Sequence, residues 1–124
     1  MTGCPCGLGE PYPACCGRYH RGEAEPPTAE LLMRARYAAF AVGDERFLVD
    51  SWHPSSRPAG PVCDPTLSWT GLFVTDRTGG GLLEQTGTVR FTARYQRADG
   101  TPGRLRENSR FVRQDGRWRY LGPA

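Results

Sequence analysis

The chain has no lysine, and all 16 of its basic side chains are arginines. An arginine at any one position is therefore weak evidence for an anion site. No run of 18 apolar residues occurs, which excludes a transmembrane helix and gives no reason to expect a membrane partner. The first residues, Met1-Thr2-Gly3, lack the apolar stretch of a signal peptide, so we expect the protein in the cytoplasm, where thiols stay reduced.

Motifs of several large enzyme classes are also missing. The sequence contains no G-x-S-x-G, no Walker phosphate loop and no H-E-x-x-H. Hydrolases with a nucleophile elbow, P-loop nucleotide enzymes and zinc proteases of that type are therefore excluded. What remains is a chain of 124 residues, 38% apolar and 23% charged, which is typical of one globular domain with a small appendage.

Four of the five cysteines lie close together, in the stretch CPCGLGEPYPACC. Two thiolate pairs separated by a turn-rich loop can surround a tetrahedral zinc ion at Zn–S distances of about 2.3 Å. Adjacent cysteines such as Cys15 and Cys16 rarely bond to each other, and a reducing compartment disfavours disulfides. We therefore predict a structural Zn²⁺ held by Cys4, Cys6, Cys15 and Cys16, with a redox thiol cluster and disulfides as the alternatives.

A histidine ligand is also available in this segment. His20 could replace Cys16 if the adjacent cysteines cannot both reach one ion; otherwise it helps to offset the charge of four thiolates. Cys63 lies far along the chain in a loop and is predicted to be an ordinary free thiol. Since about 25 residues are too few to bury a core, the predicted knuckle and linker, residues 1–27, need the metal, disulfides or docking onto the rest of the chain.

From residue 28 onward the sequence predicts two helices and then strands. Thr28 can cap a helix over AELLMRARYAAFAV, which Gly43 ends, and Asp44 can cap a second, shorter helix over DERFLVDSW. Apolar and polar residues then alternate in TLSWTGLFVTD, TGTVRFTARYQ, RLRENSRFVRQ and RWRYLG, which predicts four strands. Asp115-Gly116 marks a tight hairpin between the last two. This order predicts an α+β domain over residues 28–124.

Both parts of the chain resemble known bacterial families. CPCGLGEPYPACCGRYH resembles the SEC-C motif, a zinc-binding knuckle also found at the tail of the secretion ATPase SecA, although Leu8 replaces its usual serine and a cysteine stands where many versions have histidine. TAELLMRARYAAFAVGDERFLVDSWHP and RENSRFVRQDGRWRY are similar to the YchJ-like family. That resemblance covers nearly the whole chain. It implies a metal knuckle joined to a cone-shaped fold of the nuclear-transport-factor-2-like (SnoaL-like) type, and it supplies no activity.

The third predicted strand carries polar residues on its inward face. Its alternation places Glu107 and Ser109 on the same side as Leu105 and Phe111, toward the concave side of a curved sheet. A carboxylate there must be paired or lie in a solvated cup, because burying an isolated charge is costly. The predicted pocket residues are Tyr37, Trp52, His53, Trp69, Glu107, Ser109 and Trp118.

Two interpretations of these polar residues stay open. His53 and Glu107 could act as an acid–base pair on a small ligand in the cone. Alternatively, His53 ends the second helix before Pro54, and Glu107 ties a helix to the sheet through Arg36. We favour the second interpretation, because structural ion pairs perturb such residues as often as catalysis does.

The charge is distributed unevenly along the chain. Residues 87–124 carry nine arginines and three acidic residues, whereas residues 1–86 carry seven arginines and ten acidic residues. A basic outer sheet face would attract phosphate backbones, but no aromatic side chains for base stacking are predicted on it, so nucleic acid is the less favoured partner. The arginines predicted on that face are Arg90, Arg94, Arg104, Arg106, Arg110, Arg117 and Arg119.

These features predict a binding protein rather than an enzyme. We expect a non-enzymatic binding or adaptor module that contacts a protein partner through its structural zinc knuckle. The alternative is a small-molecule-binding or acid–base catalytic cup centred on His53 and Glu107.

Overall fold

Over residues 3–124 the fold consists of three α-helices followed by a four-stranded antiparallel sheet. The computed structural model describes residues 3–124, so Met1 and Thr2 of the predicted knuckle lie outside the described residues. The elements are α1 (Cys16–His20), α2 (Ala29–Val42), α3 (Glu45–Asp50), β1 (Ser68–Gly79), β2 (Thr86–Gln96), β3 (Pro102–Gln114) and β4 (Arg117–Pro123), with a 3-10 turn at Tyr12–Ala14. The predicted α+β class is confirmed.

Both predicted helix caps are present. The Thr28 hydroxyl oxygen accepts a hydrogen bond from the backbone N–H of Leu31 at 3.1 Å, which satisfies a free donor in the first turn of α2. Gly43 ends α2 in the left-handed region, with φ of 79°. The Asp44 carboxylate caps α3 by accepting from the Phe47 N–H at 3.0 Å. Local sequence signals therefore fix where both helices begin.

The sheet is a simple meander in the order β1-β2-β3-β4. Asp115 and Gly116 both have positive φ, 53° and 77°, as a two-residue hairpin that follows the strand twist requires. Bulges interrupt β1 at two places and β4 at Leu121, opposite Arg110 and Phe111, and bulges bend the strands that carry them. Strand β1 continues to Gly79, three residues beyond its predicted end at Asp76.

One face of the sheet packs against α2. The inward residues of β2 and β3 include Val89, Phe91 and Phe111, which are 1%, 8% and 2% exposed. They belong to the same apolar core as Leu32 and Met33 of α2. The predicted inward alternation of these strands is thus confirmed.

The opposite side of α2 packs against the cysteine-rich segment. Ala35 and Ala38 are fully buried, in one apolar cluster with the four clustered cysteines. The Arg34 guanidinium donates to the Cys6 carbonyl at 2.7 Å, and the His20 ring Nε2 donates to the Ala35 carbonyl at 2.8 Å. Helix α2 therefore lies between the knuckle and the sheet. Among the described residues, no helix has both the length and the apolar character needed to cross a bilayer.

Removing the cap of α2 tests its contribution to the fold. We expect Thr28→Ala to lower the free energy of unfolding by about 1 kcal/mol, because the N–H of Leu31 loses its acceptor. Urea denaturation measures the loss, and Thr28→Ser, which keeps the hydroxyl, is the matched control. Equal stability of Thr28→Ala and wild type would show that the cap does not hold the start of the helix.

Candidate metal centre and ligand cup

The structure brings all four predicted metal-ligating cysteines together. One sulfur from each of Cys4, Cys6, Cys15 and Cys16 lies within 4.8 Å of the others. The Cys6 and Cys15 sulfurs are 3.5 Å apart, close to the separation of about 3.8 Å that tetrahedral ligands impose at Zn–S bonds of about 2.3 Å. All four residues are at most 7% exposed, and none is in a disulfide. These sulfurs could hold one metal ion.

The backbone of the knuckle positions the sulfurs. After Cys6 the chain reverses through Gly7, whose φ of 87° belongs to the left-handed region that glycine reaches without strain. The N–H of Cys4 donates to the Glu10 carbonyl at 2.7 Å, which closes this loop on itself. The second pair follows the 3-10 turn Tyr12–Ala14, and Cys16 is the first residue of α1. The turn at Gly7 positions the first cysteine pair and the beginning of α1 positions the second, so that the four sulfurs lie close together.

Gathering four thiols in a buried space has an electrostatic consequence. The thiol of Cys16 donates a hydrogen bond to Cys6, and this lowers the pKa of Cys6 to about 5 while raising that of Cys16. Burial, together with the nearby Cys6 sulfur, raises the pKa of Cys15 to about 11. One thiolate therefore makes further thiolates unfavourable. A divalent cation removes that repulsion, so the donor set fits a metal ion.

His20 does not belong to the sulfur cluster. Its Nε2 must carry a proton, because its partner, the Ala35 carbonyl, can only accept. Its Nδ1 lies 2.5 Å from the Tyr12 hydroxyl, and its ring stacks beside Phe47. With both nitrogens engaged, His20 does not take the place of Cys16. It joins the knuckle to α2 instead.

The fifth cysteine lies in the loop between α3 and β1. Cys63 is free and partly buried, and burial raises the pKa of its thiol to about 11. The backbone N–H groups of Val62 and Cys63 both donate to the Glu45 carboxylate at 2.8 Å. Glu45 therefore fixes the position of this loop, and Val62 of the loop lines a cavity between α2 and the sheet. Sequence reasoning gave no role to Glu45.

A cup of about 310 Å³ lies between α2 and the concave face of the sheet. Of the predicted pocket residues, Tyr37, Trp52, Trp69, Glu107 and Ser109 line it. Half of the lining residues are aromatic. The aromatic residues are Tyr37, Phe40, Trp52, Trp69, Phe91, Phe111 and Tyr120.

His53 does not line the cup, so the predicted pairing of His53 with Glu107 is corrected. Trp52 forms a bridge with Tyr120 of β4, and the N–H of His53 donates to the Tyr120 carbonyl at 2.8 Å. The next residues turn away from the sheet, where His53 Nδ1 lies 2.8 Å from the hydroxyl of Ser55. Because adjacent side chains of an extended segment point in opposite directions, Trp52 faces the cup and His53 does not.

Trp118 is also corrected as a pocket residue. It is buried in the core, and its indole N–H donates to the Pro27 carbonyl at 3.1 Å. Trp118 instead lines a separate groove of about 300 Å³ between the linker, α3 and β4. It lies near the β3–β4 hairpin, two residues from Tyr120, which does face the cup.

Sequence reasoning gave Arg36 only a structural role, but the structure places it in the wall of the cup. Its Nη1 donates to the Leu48 carbonyl at 2.9 Å and to the Ser51 hydroxyl oxygen at 2.6 Å. Its guanidinium lies over the rings of Trp52 and Tyr120, 4.9 and 4.3 Å from their centroids. Burial lowers its pKa to about 10, so it stays charged at neutral pH. One feature of the sequence could have indicated that Arg36 is buried: it interrupts the apolar face of α2.

Glu107 is anchored by hydroxyl groups rather than by Arg36. Its Oε2 accepts from the Ser109 hydroxyl and, at 2.7 Å, from the Tyr120 hydroxyl. Burial, reinforced by this bond to Glu107, raises the pKa of Tyr120, which keeps its proton. Within residues 3–124 no salt bridge joins Arg36 to Glu107. The predicted tie from Glu107 to α2 through Arg36 is therefore not a direct ion pair.

The outer face of the sheet carries the predicted arginines of β2 and β3, whereas Arg117 and Arg119 line the groove between the linker, α3 and β4. Arg94 and Arg104 are direct cross-strand partners, and both are exposed. Phe73 is 51% exposed, and the guanidinium of Arg94 lies 5.3 Å from its ring centroid. Sequence reasoning did not predict this aromatic residue on the basic face. A bulge between Trp69 and Gly71 shifts the register of β1, so simple alternation did not give its orientation.

The fold and the cysteine cluster define a class of protein: an NTF2-like α+β domain with an N-terminal cysteine knuckle. Residues 28–123 match the family model for the YchJ middle NTF2-like domain. The chain belongs to the YchJ family.

Curated relatives and solved structures resemble the chain over nearly its whole length. A UPF0225 protein of Streptomyces coelicolor is 50% identical over 117 residues, covering 94% of this chain and 90% of the relative. A UPF0225 protein of Deinococcus radiodurans is 44% identical, with 98% and 88% covered. The solution structure of a SEC-C motif protein from Rhodopseudomonas palustris has a TM-score of 0.85 at 30% identity, with 99% and 98% covered. The crystal structure of one from Psychrobacter arcticus has a TM-score of 0.78 at 27% identity, with 100% and 82% covered.

The anchoring of Glu107 can be tested by removing one hydroxyl. We expect Tyr120→Phe to lower the free energy of unfolding by about 1.5–3 kcal/mol, because a partly buried carboxylate loses a charge-assisted hydrogen bond. Urea denaturation gives the value. Tyr95→Phe, at a partly exposed tyrosine, is the control and should change stability by less than about 0.5 kcal/mol. Equal losses in the two variants would contradict the anchoring of Glu107.

Proposed function

We propose that the protein is a non-enzymatic binding module of the cytoplasm, in which a structural zinc ion supports a cup for a small ligand. The observation that carries this proposal is the cup itself: a cavity of about 310 Å³ in which half of the lining residues are aromatic and a few are polar. Ligand sites have this size and composition at their smaller end.

The knuckle supports the zinc part of the proposal. Its four donors are all thiol sulfurs and are nearly inaccessible to solvent. A closed four-sulfur site is the usual structural zinc site, in which no position is left open for a substrate. In the YchJ family member described here, Cys4, Cys6, Cys15 and Cys16 would hold the ion. Zinc would stabilise a segment that lacks a core of its own.

The knuckle and the cup share one helix. Cys6 is joined to α2 by Arg34, and the residues on either side of Arg36 face different neighbours: Ala35 the knuckle and Tyr37 the cup. An ordered knuckle therefore supports the helix that forms one wall of the cup. This arrangement explains why a structural metal would accompany a ligand site.

Binding is proposed rather than catalysis because the groups that face the cup form no acid–base pair. Glu107 accepts two hydroxyl hydrogen bonds at one oxygen, and its nearest charged companion in the wall is an arginine. His53, the predicted proton carrier, lies outside the cup. General acid–base catalysis needs a group that gains and loses a proton near neutral pH.

A second candidate function is an adaptor role for the knuckle. Leu8 lies on the turn after the first cysteine pair and is 48% exposed, flanked by the exposed residues Gly7, Gly9 and Glu10. An exposed leucine on a metal-ordered turn suits contact with a protein partner. A pulldown with Leu8→Ser tests this role, since that change leaves all four cysteines in place. Recovery of the same partners by both proteins would exclude it.

Metal analysis tests the zinc site. We expect one zinc ion per chain in wild type and less than half of that in Cys16→Ser, because three thiolates hold the ion less tightly. His20→Gln is the matched control: it should keep the full zinc content, since His20 bonds to Tyr12 and Ala35. Plasma mass spectrometry of desalted protein measures both. Loss of zinc in His20→Gln with retention in Cys16→Ser would contradict the assigned ligands.

Indole, a small apolar probe, tests whether the cup accepts a ligand. We expect millimolar indole to shift the backbone amide NMR signals of cup residues such as Tyr37, Trp69 and Phe91, and to leave those of the knuckle unchanged. Ala93→Leu, which places a larger side chain in the cup wall, should weaken the shifts. Shifts confined to the outer face, or none, would contradict the proposed cup.

A further inference from the structure

Two opposite charges face the cup without forming a direct ion pair among the described residues. Arg36 is only 5% exposed, and it lines the cavity together with Glu107. Buried charges in proteins are normally paired, because an unpaired one loses its hydration without compensation. Among residues 3–124, however, Arg36 bonds to uncharged oxygens and Glu107 to hydroxyl groups. Both groups are therefore available to form hydrogen bonds with a ligand.

The hydrogen-bonding capacity of Arg36 is only partly used. A guanidinium has five N–H donors in one plane. In the described chain only Nη1 donates, to Leu48 and Ser51, so Nε and Nη2 have no acceptor. Its contacts with the rings of Trp52 and Tyr120, which meet edge to face beside it, restrict its movement. The cup therefore presents a fixed, cationic donor.

Glu107 supplies the complementary acceptor. Both hydroxyl groups donate to its Oε2, which holds the side chain in place. Its Oε1 has no hydrogen-bond donor among the described residues. A carboxylate oxygen in this position accepts a hydrogen bond from a ligand N–H. Arg36 and Glu107 thus form a donor and an acceptor on the wall of one small cavity.

We propose that the cup binds an uncharged ligand with a planar amide or lactam group and an apolar body. The amide carbonyl accepts from Arg36, the amide N–H donates to Glu107, and the apolar body lies among Tyr37, Trp69 and Phe91. This inference rests on the proposed ligand cup and specifies the chemistry of its ligand. Amides supply an adjacent acceptor and donor with no net charge.

Charge balance favours the amide over related groups. A carboxylate suits Arg36 but brings a second negative charge to Glu107, and an amine suits Glu107 but brings a second positive charge to Arg36. In a partly buried site, like charges repel more strongly than in bulk water. The volume of about 310 Å³ is roughly twice that of an engineered cavity that binds benzene. A benzene ring with a short amide-bearing chain therefore fits.

Three matched probes test the proposal. They are 3-phenylpropanamide, 3-phenylpropionate and 3-phenylpropylamine, which share one apolar body and differ in the charge of the polar end. We expect the amide to bind wild-type protein at least about tenfold more tightly than the acid or the amine at neutral pH. Amide NMR titrations of the full chain give the dissociation constants. Equal or tighter binding of the acid or the amine would overturn the proposal.

Glu107→Gln is the decisive variant, because it removes the negative charge and turns one acceptor into a donor while it keeps the shape of the side chain. The two hydroxyl groups still require an oxygen at the position of Oε2, so the new amide nitrogen occupies the position of Oε1 and becomes a donor. We expect this variant to invert the preference: 3-phenylpropionate tightens and 3-phenylpropanamide weakens. An unchanged preference for the amide would overturn the proposal.

Arg36→Met and Arg106→Gln complete the test. Arg36→Met should weaken binding of the amide at least about fivefold, whereas Arg106→Gln, on the exposed outer face, should leave it unchanged. If Arg36→Met does not fold, Glu107→Gln still decides the question. Failure of all three probes to bind wild-type protein would overturn the cup as a ligand site, whereas binding without preference would overturn only the amide assignment.

Discussion

The packing of α2 between a sulfur cluster and a sheet is the constraint on which the rest of the structure depends. One side of the helix carries alanines, Ala35 and Ala38, which are small enough for the knuckle to approach closely. The other side carries Met33 and Tyr37, which fill the space above the sheet. A helix enclosed in this way has little freedom to shift. The position of α2 therefore determines where the knuckle and one wall of the cup lie.

Two arginines of α2 extend this constraint in different directions. Arg34 bonds to Glu30 on its own helix and to the carbonyl of Cys6 in the knuckle. Arg36 bonds to α3 and stacks on Trp52 and Tyr120. In a chain with no lysine, arginine composition alone would not have singled out either residue. Their burial and their defined hydrogen-bond partners single them out, because a guanidinium is buried only where its surroundings compensate for the loss of hydration.

The sequence predicted those features that depend on near neighbours. Thr28, Gly43 and Asp44 act within one helical turn, and Asp115-Gly116 acts within one hairpin, so all were correctly placed. The gathering of the four cysteines followed from their spacing and from a limited number of ways to group them. Glu107 and Ser109 followed from strand alternation. The resemblance to the YchJ family supplied the cone shape, which local patterns do not give.

The features that sequence reasoning missed depend on distant contacts. His53 and Trp118 lie beside residues of the cup. The pairing of the Trp52-His53 segment with Tyr120 of β4 turns His53 away from the cup, and Trp118, on the same face as Tyr120, contacts the linker at Pro27 instead. Phe73 faces outward next to Arg94 because bulges change the register of β1. Predicting the role of Arg36 would have required the relative positions of α3, Trp52 and Tyr120. No pattern within one segment contains that information.

X-ray absorption at the zinc edge of purified protein tests most directly whether the sulfur cluster holds the metal on which this arrangement depends. The account predicts zinc with four sulfur neighbours at about 2.3 Å and no nitrogen or oxygen in the first shell. A nitrogen or oxygen ligand, or protein that carries no metal while its knuckle stays packed on α2, would contradict it.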